Sequence, residues 1–215
     1  MNEPIDGLMV LLVLLNLWLL ASSRLIACTR IVAAEGIALG LLPLLLSWDQ
    51  GISGRLWFIA AASVIIRGVI FPQLLLKALR QANVQREVEP FVGYSLSIVI
   101  GVLTLAISFW LISRLPLPET PHLALLLPVA LSTILIGLFV IISRKIAINQ
   151  VLGYLVMENG IYVLGLALVK EIPALVELGV LLDAFVGVFV MTIATYHISR
   201  EFEHLDADQL DSLKG

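Results

Sequence analysis

Seven apolar runs, each about as long as a bilayer is thick, decide what this chain can become. They cover residues 7–26, 28–47, 56–77, 90–113, 121–143, 146–169 and 172–197. A spanning helix needs roughly 20 mostly apolar residues, and a bilayer tolerates only structures whose backbone polar groups are satisfied internally. The expected fold class is therefore all-α, a polytopic membrane protein of about seven transmembrane helices. Composition agrees, since 60% of the 215 residues are hydrophobic and 13% are charged, against about 25% charged in a soluble domain. A formal charge of −3 gives no cationic surface for nucleic acid. The single cysteine, Cys28, excludes an intrachain disulfide and a cysteine-rich metal site, and reads as a small buried hydrophobe. The first charges are Glu3 and Asp6 rather than lysine or arginine, so the first run is expected to stay as a membrane anchor.

The linkers carry turn chemistry. "SWDQGISG" (47–54) separates runs two and three, "RLPLPETPH" (114–122) runs four and five, and "KEIP" (170–173) runs six and seven. Arg24, Arg30, Lys77, Arg80, Arg86, Arg144, Lys145, Arg200 and Lys214 fall on one side of this topology, and Arg55, Arg114 and Lys170 on the other. The excess of basic residues marks the cytoplasmic side, which puts the N-terminus outside and the C-terminus in the cytoplasm. Trp48 and Trp57 then lie near the outer interface, where tryptophan is favoured. "SVIIRGVIF" (63–71) and "GVLLDAFVGVF" (179–189) share an apolar pattern around one central charge. This is compatible with a repeat: an N-terminal three-helix unit (1–89), a linking helix (90–120), and a second three-helix unit with a cytoplasmic tail (121–215). Two unrelated apolar helices also resemble each other this much.

Four ionisable residues interrupt the runs near mid-depth: Glu35, Arg67, Glu158 and Asp183. Each would cost about 2.5–3.5 kcal/mol on insertion scales if it faced lipid, so each must face the bundle interior, a partner or water. Glu158 lies about 18 Å and Asp183 about 17 Å from opposite faces at a rise of ~1.5 Å per residue. Short "KEIP" makes the last two runs an antiparallel hairpin, so these carboxylates are expected to be neighbours in depth. Buried carboxylates placed together can share and exchange protons, as a proton relay requires. Tyr154 and Tyr162 stand one turn either side of Glu158 on the same helix face. With adjacent Asn159 they are candidates to order water, or else packing residues. Gly153, Gly160 and Gly165 invite close approach of another helix. Glu35 and Arg67 read as a second set of buried charges, either an ion pair that fixes helix packing or part of the path. No phosphate loop, metal-ligand cluster or nucleophile–base constellation is present. His122, His197 and His204 lie at run ends or in the tail and read as solvated.

The segments "SRKIAINQVLGYLVMENGIYVLGLAL" (143–168) and "ELGVLLDAFVGVFVMTI" (177–193) resemble the last two helices of the K subunit of complex I. The segment "GYLVMENG" and the "LKG" end are similar to the hydrogenase-4 component E family of formate-hydrogenlyase-type membrane [NiFe] hydrogenases. The resemblance implies a membrane subunit, non-catalytic by itself, with two buried carboxylates in a polar path between a redox module and antiporter-like subunits. Asp183 matches the carboxylate of the final helix. Glu158 stands three residues beyond the family's glutamate position, which is Leu155 here, nearly one turn on. The implied partners are antiporter-like membrane subunits, a subunit like the H subunit of complex I, and a peripheral hydrogenase arm. No cofactor is expected on this chain, and Ni–Fe and Fe–S centres are expected in partners. The implied location is a bacterial or archaeal cell membrane. A K-like subunit of a multisubunit cation/proton antiporter and a purely structural assembly subunit remain the alternatives.

Overall fold

The computed structural model describes residues 3–48, 54–81, 90–116 and 123–168. These fold into α1 (Glu3–Ala21), α2 (Leu25–Leu46), α3 (Gly54–Ile65), a π-helical turn (Ile66–Ile70), α4 (Phe71–Gln81), α5 (Tyr94–Ile112), α6 (Leu123–Ser143) and α7 (Ala147–Leu168). Helices α3 and α4 continue each other through the π turn, and together they make the third of six apolar helices long enough to cross a membrane. Among the described residues the fold is all-helical, a multi-pass membrane architecture. The seventh run, with Asp183, and the C-terminal tail lie outside the described residues.

The boundary between the first two helices differs from the sequence reading. The apolar run 7–26 passes straight through Ser22, Ser23 and Arg24, but α1 ends at Ala21 and α2 begins at Leu25. Two serines and an arginine are poorly suited to lipid, and the backbone N–H of Cys28 already bonds the Arg24 carbonyl as the first turn of α2. Hydroxyls within the spans bond their own helix. Thr29 donates to the Leu25 carbonyl at 2.9 Å, Thr104 to Ile100 at 2.7 Å and Ser108 to Thr104 at 2.8 Å, which satisfies them without water.

Alternate helix ends gather at one face. Arg144, at the end of α6, donates to the Leu20 carbonyl near the end of α1 at 3.1 Å, and its guanidinium lies 4.5 Å from the ring of Tyr94 at the start of α5. The Phe91 N–H donates to the Ser143 carbonyl at 3.0 Å. The up–down threading read from the linkers is therefore present, and the arginine- and lysine-rich ends meet on a common side.

Packing is tightest between α6 and α7. A Cβ on Gly137 would lie 2.7 Å from the Gly153 carbonyl oxygen, and one on Gly160 would lie 2.6 Å from the Ile134 nitrogen. Lipid tails are as apolar as leucine, so close backbone approach of this kind drives helix association where burial from water cannot. Helix α5 is at the other extreme, with Leu96, Val99, Val102, Leu103, Ile107 and Trp110 all turned outward.

The interior is layered by depth. One apolar cluster, nearer the basic face, holds Leu15 and Leu19 of α1, Ile31 and Val32 of α2, Phe71 and Leu75 of α4, Ile136 and Val140 of α6 and Leu152 and Val156 of α7. A second, toward the other face, holds Met9 and Leu12, Leu39 and Leu42, Leu126 and Ala130, and Tyr162 and Leu166. Glu35, Thr133 and Glu158 fall in sequence between the two sets on their respective helices, Asn16 stands next to Leu15 at the border of the first set, and all four are buried. A polar layer thus crosses the bundle between two apolar ones.

Gly137→Ala is expected to destabilise the chain by about 1–3 kcal/mol through overpacking. Gly7→Ala, where no atom lies within 4 Å of the added Cβ, should change stability by less than about 0.5 kcal/mol; SDS-driven unfolding in mixed micelles measures both. The lysine–arginine asymmetry predicts that a membrane-impermeant maleimide labels Arg114→Cys and not Ser23→Cys in intact cells. Labelling of the second alone reverses the orientation.

Candidate functional site

The polar layer is widest where α2, the π turn and α7 meet. A π turn holds more residues than an α turn and is frequent at functional sites. Here it carries Arg67, which is only 4% exposed. Helix α2 can rest on this turn because residue 36 is glycine: a Cβ there would lie 2.7 Å from the Arg67 Cβ and 3.0 Å from its carbonyl carbon. Gly36 and Gly40 repeat at four-residue spacing, the small-residue pattern that lets helices approach closely. A Cβ on Gly40 would likewise reach the Val64 nitrogen at 3.0 Å. Glycine on one helix and the wide turn on the other thus bring two charged residues into the interior side by side.

Arg67 forms the hub. Its Nη2 donates to Glu158 Oε1 at 3.3 Å, and both side chains are 4% exposed. Its Nη1 donates to Asn159 Oδ1 at 3.2 Å. Asn159 in turn donates through Nδ2 to Glu35 Oε2 at 3.2 Å. The guanidinium also lies 4.4 Å from the centre of the Tyr162 ring, close enough for a desolvated cation–π contact. Glu35 is fully buried, and its Oε1 has no hydrogen-bond partner among the described residues. The result is a continuous chain, Glu35–Asn159–Arg67–Glu158, with every step at 3.2–3.3 Å. Its members come from three helical segments.

This arrangement refines the sequence reading. A direct ion pair between Glu35 and Arg67 was one expectation, but Arg67 pairs with Glu158, and Asn159 stands between Arg67 and Glu35. Asn159 therefore links Arg67 to Glu35, the two members of the second set, and Arg67 joins that set to Glu158. Tyr162 contributes its ring face to Arg67 on the same face as Glu158. Tyr154, one turn in the other direction, packs half-buried against the apolar cluster nearer the basic face. Asp183 lies outside the described residues. Two further members of the layer escaped the sequence reading. Asn16 is 1% exposed and donates to Thr133 Oγ1 and to the Leu12 carbonyl, both at 3.1 Å, while Thr133 donates to Val129 at 2.8 Å. An asparagine within "VLLVLLNLWLLA" (10–21) was the available signal. Among the described residues no group of three histidines, cysteines or acids is placed to hold a metal ion.

A protein of Mycobacterium tuberculosis described as uncharacterized is 32% identical over 193 residues, spanning 87% of this chain and 86% of that protein. Hydrogenase-4 component E of Escherichia coli (strain K12) is 29% identical over 156 residues, 73% of this chain and 72% of its own length, and that of Shigella flexneri matches to the same extent. The chain is a homologue of hydrogenase-4 component E. Residues 125–215 also match the family NADH-ubiquinone/plastoquinone oxidoreductase chain 4L. No solved structure matches the chain. The chain 4L match includes Glu158, Asn159 and Tyr162. Glu35 and Arg67 precede it, so the polar cluster joins the 4L-like part to the helices that come before it.

Removing one member of a buried ion pair leaves the other uncompensated, at a cost of about 3–5 kcal/mol. Arg67→Met is expected to destabilise the full-length chain by an amount of that order. Arg67→Met combined with Glu158→Gln should recover more than half of the loss. Equal losses in the single and double variants, measured by SDS-driven unfolding, would show that the pair does not hold the site together.

Proposed function

We propose that this chain is a membrane-embedded subunit, non-catalytic by itself, of a complex-I-like [NiFe] hydrogenase of the hydrogenase-4 type. Its polar layer is one link of the proton path between the redox module and antiporter-like subunits. The reading is supported by the family and, above all, by one observation: two carboxyl groups from different helices are joined through Asn159 to a single buried guanidinium.

Charge balance gives that observation its mechanistic meaning. Among the described residues the cluster brings two carboxyls and one cation together in a region of low dielectric, where uncompensated charge is costly. These three charges balance when one carboxyl carries a proton, and among the described residues that proton has two homes, Glu35 and Glu158. When it sits on Glu35, Arg67 is balanced by Glu158. When it arrives at Glu158, the compensating charge belongs on Glu35, which Asn159 links by hydrogen bonds to Arg67. An amide suits this position because it donates on one side and accepts on the other. Asp183, Tyr154 and Tyr162 extend the path toward neighbouring subunits. The C-terminal unit, residues 121–215, then supplies the K-like half, and residues 1–89 supply Glu35 and Arg67. Ni–Fe and Fe–S centres belong to the partner subunits, of which the peripheral hydrogenase arm, a subunit like the H subunit of complex I and the antiporter-like subunits are the ones implied.

Glu158→Gln and Asp183→Asn are each expected to leave the complex assembled and its hydrogenase activity in detergent within about twofold. Both should lower proton movement coupled to that activity in vesicles by tenfold or more, the order found for one lost proton-transfer group. Unchanged proton movement in both variants would refute the relay role, and loss of nickel and iron from the purified complex would indicate an assembly role instead.

A further inference from the structure

We propose that a groove between the end of α1 and the first half of α2 binds an anionic phospholipid. The groove encloses about 600 Å³. Arg24 and Arg30 line it, with Trp18 on the α1 side and Ala27, Ile31 and Ala34 along α2. Residues 27, 31 and 34 share one helix face, and the two alanines give this face its depth.

Three observations select the occupant. The first is charge. Among the described residues neither guanidinium has an ion-pair or hydrogen-bond partner, although both stand at the rim of an apolar trough. Guanidinium forks match phosphate oxygens, and long basic side chains at a helix end reach the headgroup level while their stems stay along the apolar surface. The second is position. Arg24 immediately precedes α2, and Trp18 lies one turn from the end of α1 and is 61% exposed, as expected of an aromatic at the membrane interface. The same face carries Arg144 and Lys145, and basic pockets between spans on the cytoplasmic side attract anionic headgroups.

The third is size. From Arg24 to Ala34 the groove runs down about 15 Å of helix at ~1.5 Å per residue. An extended acyl chain running down from a headgroup at Arg24 can lie along a trough of this length. The phosphate would sit between Arg24 and Arg30, with an acyl chain lying over Ala27, Ile31 and Ala34 toward the level of Glu35.

The test places the full-length chain in phosphatidylcholine nanodiscs containing rising fractions of brominated phosphatidylglycerol or brominated phosphatidylcholine. The emission of Trp18 is isolated by difference from Trp18→Phe. Half-maximal quenching is expected at about thirtyfold lower mole fraction of the anionic lipid, the scale of two basic residues near a headgroup. The preference should vanish in Arg24→Gln/Arg30→Gln. It should also vanish in Ala34→Phe, which fills the groove while leaving both arginines. Equal quenching by the two lipids overturns the proposal, since the groove then holds ordinary boundary lipid. Absence of quenching by either overturns it by showing a protein cover, such as a second copy of the chain. Displacement of the brominated phosphatidylglycerol by inorganic phosphate alone overturns it in favour of a free-anion site.

Discussion

A guanidinium deep in an apolar bundle must be compensated, and the described helices are arranged around that requirement. Arg67 meets it through Glu158 of α7, Asn159 beside it and the ring of Tyr162. These contacts reach Arg67 only because α2 lies directly on the π turn at Gly36, and because α7 is held close to α6 by Gly137, Gly153 and Gly160. Glycines at two separate interfaces thus serve one buried charge. The apolar clusters above and below close the polar layer off from both membrane faces, so its hydrogen bonds act at low dielectric. A misplaced member there would be costly.

That seclusion fits a chain that conveys protons better than one that only braces neighbouring subunits. A structural ion pair needs one acid for one base, and among the described residues the second carboxyl is surplus to that purpose. Glu35, fully buried with one oxygen outside any hydrogen bond among the described residues, has no packing rationale of its own. In a proton path the surplus acid has a task, because a proton can move only where two sites are available and one is vacant. The match of residues 125–215 to the chain 4L family ends short of Glu35 and Arg67. If the path works as proposed, the preceding helices are part of the machinery.

Much of this architecture was legible in the sequence, for a specific reason. In a bilayer the helix is the default, so apolar run length alone located six of the helices to within a few residues, and the expense of charge in lipid singled out Glu35, Arg67 and Glu158 as interior. What the sequence withheld was partnership. Arg67 could have faced Glu35 on the neighbouring helix or an acid far along the chain, and nothing in local pattern chooses. The choice is set by the rotation of α4 relative to α3, which the π turn controls and which has no sequence signature. The same holds at Ser22–Ser23, where an apolar average over 20 residues concealed a helix break. Asn16 was visible as an anomaly, but its bond to Thr133 joins positions 117 residues apart.

The π turn also makes chain length itself a constrained quantity. Residues 66–70 accommodate one residue more than an α-helix would over the same interval. Deleting a single residue there would restore regular winding and swing everything beyond it by about 100°. Phe71 and Leu75, now in the core, would turn toward lipid, and outward-facing neighbours would replace them. Such a helix would still look hydrophobic enough to cross the membrane. Natural variation in this segment should therefore proceed by exchange of side chains and not by insertion or loss.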